Sequence, residues 1–213
     1  ADSNKPDDKH NSIVELMRYE RGNATIDIID KFNLDGYDVI IVNQPFYTRN
    51  GIRIDGGADY IERNGLTHAS FYQEINRNLT VNGSAEKLVI MGPSMGGQIS
   101  RYALAYMEKK ELETGLSSWN HNTRLWVSID SPHLGANIPI GVQSFLNQVK
   151  DDNPSAKDFV EKELGSAAAK QQIIEQFSGY QIITDGSWIF EGNQLKDDYL
   201  DGRTVSQGYS QDK

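Results

Sequence analysis

The hexapeptide GPSMGG (92–97) sets one serine, Ser94, between an apolar run, KLVIM (87–91), and a stretch with helical spacing, QISRYALAYMEKK (98–110). Gly92, Ser94 and Gly96 match the pattern G-x-S-x-G, in which a serine occupies a strained strand-to-helix turn that lifts its hydroxyl clear of the sheet as a nucleophile. Glycine is expected on either side because side chains there would collide with the neighbouring strand and helix backbones. The N–H of the next residue, Met95, is left free to stabilise an oxyanion, helped by the positive end of the helix. The pattern arises by chance in about one chain in ten to fifteen of this length, so the strand before it and the amphipathic helix after it carry the weight. A phosphate cradle is disfavoured, since the phosphate-loop lysine is missing and G-x-G-x-x-G does not match. An idle serine in a glycine-rich turn is the bland alternative.

A serine hydroxyl needs a base, usually histidine, oriented by a carboxylate. Two of the four histidines follow Ser94. His121 lies in the polar loop SSWNHNTRL, on the far side of the next strand's start. His133, in DSPHLGA, follows that strand and is expected at the same sheet edge as Ser94, where it reads as a pocket-lining or loop-ordering residue ahead of a base. For the acid, Asp130 ends the strand at that edge, and Asp185 in YQIITDG is its rival; for both, the plain alternative is a turn-capping aspartate. His10 and His68 precede the serine and are expected to face solvent or a helix surface. No histidine occurs after position 133.

The elements that must position these groups alternate between short apolar runs and longer helical patterns, as in an α/β fold with a largely parallel sheet and flanking helices. YDVIIVN (37–43) reads as a strand covered on both faces, KLVIM (87–91) and RLWVSI (124–129) as the second and third strands, and YQIIT (180–184) as a weaker one. RNGIRIDGGADY (49–60) reads as a glycine-rich loop, and Asp59 with Glu62 as a capping box before a helix through Ile61, Ala69, Tyr72, Ile75 and Leu79. A second helix is expected over 96–111. GVQSFLNQV and AAAKQQIIEQF read as further helices, and residues 185–213 as loop or tail. The 213 residues are read as one domain, 38% hydrophobic and 24% charged, with a formal charge of -9. That charge argues against nucleic acid and anionic membrane surfaces, because both draw binding from Lys and Arg. The chain has no cysteine and no run of ~18 apolar residues. Its polar start carries no signal peptide, so export is either absent or followed by removal of the signal; a secreted or periplasmic bacterial location is favoured over a cytoplasmic one.

DGYDVIIVNQP, LVIMGPSMGGQISRYAL and LWVSIDSPHLGANIP, in that order and spacing, resemble α/β-hydrolase lipases and esterases, and are most similar to the bacterial members of the GPI-inositol-deacylase-like lipases over roughly residues 25–150. Pro93 departs from that family's pattern, which more often has His, Tyr or Trp there. The resemblance implies an α/β-hydrolase-type, mostly parallel sheet, incomplete in this chain because the usual late histidine and the strand carrying a second oxyanion donor are missing. It implies cleavage of lipid or acyl carboxylic esters through an acyl-enzyme on Ser94, with no metal or organic cofactor. A catalytically inactive binding module and an acyltransferase using the same serine remain the alternatives.

Overall fold

The computed structural model describes residues 17–177, 180–182 and 188–190, which divide at Gly57/Ala58 into two compact units.

The first unit holds two antiparallel hairpins. β1 (Arg18–Arg21) pairs with β2 (Ala24–Asp27), and β3 (Phe46–Arg49) with β4 (Ile52–Asp55). The second hairpin falls where a loop was expected. Asn50 and Gly51, at φ 51° and 78°, supply the two left-handed residues that a two-residue hairpin turn requires. Asp27 caps α1 (Ile28–Leu34) by accepting from Ile29 N and Asp30 N, and the Arg18 guanidinium beside it holds its carboxyl below the usual range. YDVIIVN (37–43) forms no ladder in the structure, contrary to the strand its composition suggests. Tyr37, Val39, Ile40, Ile41 and Val42 are exposed, Ile40 by 59%. A buried-strand pattern states what a segment needs, and a strand exists only where an edge meets it.

The second unit carries α2 (Ile61–Val81), β5 (Leu88–Pro93), α3 (Met95–Thr114) and β6 (Thr123–Ile129). β5 and β6 pair in parallel with Ile90 opposite Trp126, Gly92 opposite Ser128 and Pro93 opposite Ile129. Parallel pairing among the described strands is confined to these two, so the mixed α/β character expected from the sequence is present and an extended parallel sheet is not. α3 buries Ile99, Ser100, Ala103, Leu104 and Met107, a stripe of helical period, and ends at Gly115, whose left-handed φ of 67° lets its N–H reach Glu111 O. Ala69 and Tyr72 of α2, Ile90 of β5 and Ala103, Leu104 and Met107 of α3 form the core. α2 approaches α3 closely at Gly65, where a Cβ would meet the Tyr102 ring at 2.5 Å. The capping box does not form: Tyr60 is the N-cap without a side-chain bond, and buried Asp59 instead accepts from Arg63 Nη1 through both oxygens at 2.8 Å. The helix has an ion pair one turn in, where the sequence pattern put a cap.

Beyond β6 the chain forms α4 (Ile140–Val149), α5 (Pro154–Asp158), a π-helical stretch Phe159–Leu164 and α6 (Ala167–Gln172). Gln143 is buried and donates to Ile138 O and Glu175 O while accepting from Phe177 N, tying α4 to the segment after α6. β7 (Tyr180–Ile182) pairs antiparallel with β8 (Trp188–Phe190), which lies within the stretch read as loop or tail.

His68 sits one turn before Tyr72 on α2, with Nδ1 3.3 Å from the phenol oxygen. Burial lowers the His68 pKa and pushes that of Tyr72 up to about 12, so both side chains are held neutral. Above the ordinary phenol value of 10.0 the unfolded state loses the Tyr72 proton first. Stability is therefore expected to fall between pH 10 and about 12, by about 2–3 kcal/mol, and Tyr72→Phe to remove that fall in urea-unfolding midpoints measured against pH. Met107, with 0% exposure, is the largest side chain sealed in the core, and Met107→Ala is expected to cost about 2–5 kcal/mol in the same measurement.

Candidate active site

β5 becomes α3 with a single residue between them, Ser94, at φ 51° and ψ −127°. That combination lies outside the helical, extended and left-handed helical regions open to a residue with a side chain, and holding it costs of order 1–3 kcal/mol. The Ser94 N–H donates to Ile129 O at 2.8 Å, which continues the pairing of β5 with β6 one residue past Pro93. The lost N–H of Pro93 leaves the junction intact, because Ser94 supplies the next donor. The Ser94 side chain is exposed and makes no capping bond, and no group among the described residues hydrogen-bonds to its hydroxyl. Met95 opens α3, so its N–H has no carbonyl one turn earlier to bond and points out of the positive end of the helix.

The steric reason for glycine holds at Gly92 and not at Gly96. A Cβ on Gly92 would lie 2.5 Å from Gly96 O and 2.6 Å from Gly97 Cα, while one on Gly96 would meet only Pro93 Cδ at 3.5 Å, an ordinary contact. The second glycine the junction needs is Gly97, where a Cβ would overlap Ser131 Oγ and lie 2.7 Å from Ser128 Oγ. The doubled glycine in GPSMGG was the available signal for it.

Asp130 follows Ile129 directly and is left-handed, with φ 48°. Ser94 and Asp130 are thus the residues next after the paired positions Pro93 and Ile129, flush at the carboxyl end of the two strands. Asp130 is exposed. His133 lies at the same end, with Nε2 2.8 Å from Ser128 Oγ and its ring on Trp126, the centroids 5.6 Å apart. His121 stands at the opposite end of β6, its Nδ1 accepting from Thr123 N at 3.1 Å and its Nε2 3.3 Å from Glu108 Oε1. A groove of about 330 Å³ lies at that far end, lined by Arg101, Glu108, His121, Arg124 and Leu125 among others, and includes neither Ser94 nor Asp130. His10 and Asp185 lie outside the described residues. Among the described residues no three His, Asp or Glu side chains cluster to hold a metal ion, and no helix is long and apolar enough to cross a membrane.

Residues 67–152 match the model of a family described as "Putative serine esterase (DUF676)", a span that takes in Ser94, Met95, Asp130 and His133. The match makes this part of the chain similar to serine esterases and supports a general serine hydrolase role; it does not reach to the GPI-inositol-deacylase-like lipases in particular. No curated protein and no solved structure matches the chain.

The two glycines give a measurable contrast. Gly97→Ala is expected to destabilise by about 1–3 kcal/mol through overpacking. Gly96→Ala, in open helix, should be neutral or stabilising by up to about 1 kcal/mol in thermal or urea unfolding.

Proposed function

We propose that the chain is a serine hydrolase of carboxylic esters, lipid or acyl, acting through an acyl-enzyme on Ser94. The observation that carries this reading is the backbone of Ser94: a positive φ, at a strand-to-helix junction, with the hydroxyl exposed and unspent. Strain of this kind persists where the surroundings enforce it and collects at sites that use it. In the proposed reaction Ser94 Oγ attacks the ester carbonyl carbon, its proton passes to a base, and the carbonyl oxygen takes up negative charge against the Met95 N–H. Collapse of the tetrahedral intermediate expels the alcohol with a proton, and water then releases the acid from Oγ by the same route. Asp130 is the proposed acid, and His133 lines the site. An acyltransferase follows the same first half and delivers the acyl group to an alcohol in place of water.

One observation favours a second reading, a catalytically inactive binding module: the three described histidines are each paired elsewhere, His68 with Tyr72, His121 with Glu108 and His133 with Ser128. Covalent labelling by a fluorophosphonate probe, together with cleavage of short-chain nitrophenyl esters, separates the two. The hydrolase reading expects both, expects Ser94→Ala to abolish both, and expects Asp130→Asn to lower turnover by about 10²–10⁴-fold. Failure of the protein to label at Ser94 would put the binding module in its place.

A further inference from the structure

The loop after β6 is fastened to the serine junction by a closed ring of hydrogen bonds. On one side, Ser94 N donates to Ile129 O and Ser131 Oγ to Gly92 O at 3.3 Å. On the other, Gln98 of α3 donates from Nε2 to Pro132 O at 2.6 Å. His133 then turns back onto β6, where its Nε2 meets Ser128 Oγ at 2.8 Å and its ring rests on Trp126. Trp126 Nε1 donates to Ser100 Oγ at 2.9 Å, and Ser100 donates to Gly96 O at 2.7 Å in the first turn of α3. Strand, loop and helix are thereby joined in a circuit beside Ser94 and Asp130, both of which have positive φ.

We infer that Ser128 and His133 are a positioning pair: their hydrogen bond closes this circuit and so fixes the relative placement of Asp130 and the Ser94 hydroxyl, with His133 acting through Ser128 and not as the base that takes the serine proton. The inference rests on the hydrolase reading of Ser94. Its geometry is specific. Ser128 and Trp126 are two apart on β6 and so share the face turned toward α3, where Ser128 Oγ lies against Gly97 and Trp126 bonds Ser100. A bond to Ser128 therefore directs Nε2 toward the helix side of the strand, two positions before the end at which Asp130 stands.

The test is a double-mutant cycle on the full chain, read as the rate of fluorophosphonate labelling at Ser94 and as kcat and KM on a nitrophenyl ester. His133→Ala and Ser128→Ala are each expected to slow labelling about tenfold, the double variant to be no slower than either, and kcat to fall with KM unchanged within about twofold. His133→Gln, whose amide can reach Ser128 but cannot accept the serine proton, is expected to recover to within about threefold of the parent. Loss of about 10³-fold or more in both His133→Ala and His133→Gln, with Ser128→Ala near the parent, would make His133 the base and overturn the inference. So would rates within twofold of the parent in every variant. If the parent protein does not label at Ser94, the hydrolase reading fails by itself. The pair is then read by hydrogen exchange of the Ser94 amide, expected about tenfold faster in both alanine variants, and equal exchange in parent and variants overturns it.

Discussion

The backbone of β5 touches the backbone of the first turn of α3, and most of what surrounds Ser94 follows from that contact. With one residue between strand and helix, the chain must reverse within Ser94, which drives it to φ 51°. The helix then starts so close to the strand that Gly92 has no room for a Cβ, and its first turn lies against Ser128 and Ser131, which leave none at Gly97. Strain at Ser94 and Asp130, of order 1–3 kcal/mol each, is offset by what the contact makes possible. α3 can lie along β5 and bury Ile99, Ala103, Leu104 and Met107 only because its first turn comes in at this distance. The strained serine and the packed core are consequences of one approach.

Crowding at the junction also dictates its polar chemistry. Backbone carbonyls of Gly92, Gly96 and Ile129 converge where no large side chain fits, so short hydroxyl side chains serve them: Ser100 reaches Gly96 O and Ser131 reaches Gly92 O. Ser100 gives its proton to a carbonyl and accepts from Trp126 Nε1, which lets an indole N–H sit half-buried with a partner. Gln98 spends its amide N–H on Pro132 O, and among the described residues its buried Oε1 has no hydrogen-bond partner. That bond ties the loop after β6 to the first turn of the helix that follows the serine.

Residues whose environment is set within a few positions were legible in the sequence. KLVIM and RLWVSI are strands, the helix after Ser94 runs three residues beyond the expected 111, and the serine turn stands where its glycines put it. The structure departs from the sequence pattern where a distant partner decides the outcome, and once, at Asp59, where two nearby partners compete. YDVIIVN has the composition of a covered strand, yet composition does not specify which edge receives it. Asp59 and Glu62 have capping-box spacing, but Arg63 competes for Asp59 with a charged, doubly accepted bond, and the cap loses. The five-residue pattern selects Gly96 and not Gly97 because it counts positions along the chain, while the clash that requires glycine comes from Ser131 on the neighbouring loop. His133 was placed at the correct end of the strand, but its bond to Ser128 depends on which way the loop folds back, and no local pattern encodes that.

Parallel pairing sorts the candidate groups by strand end. β5 and β6 both run toward Ser94 and Asp130, so whatever follows either strand gathers there and whatever precedes it is carried away. His121 precedes β6 by two residues, and a seven-residue strand spans about 20 Å, a distance no side chain bridges. Its bonds to Thr123 N and Glu108 belong to that far end. His133 arrives at the near end but turns back along β6 onto Ser128, whose neighbour across the pair is Gly92, two residues before the serine. The same topology delivers Ser94, the Met95 N–H and Asp130 to one edge, and in the proposed positioning role the local histidine fastens the loop that brings it. In the reaction proposed for Ser94, a proton acceptor would approach from the open side of that edge, where the hydroxyl is exposed and where the first-turn amides of α3 point.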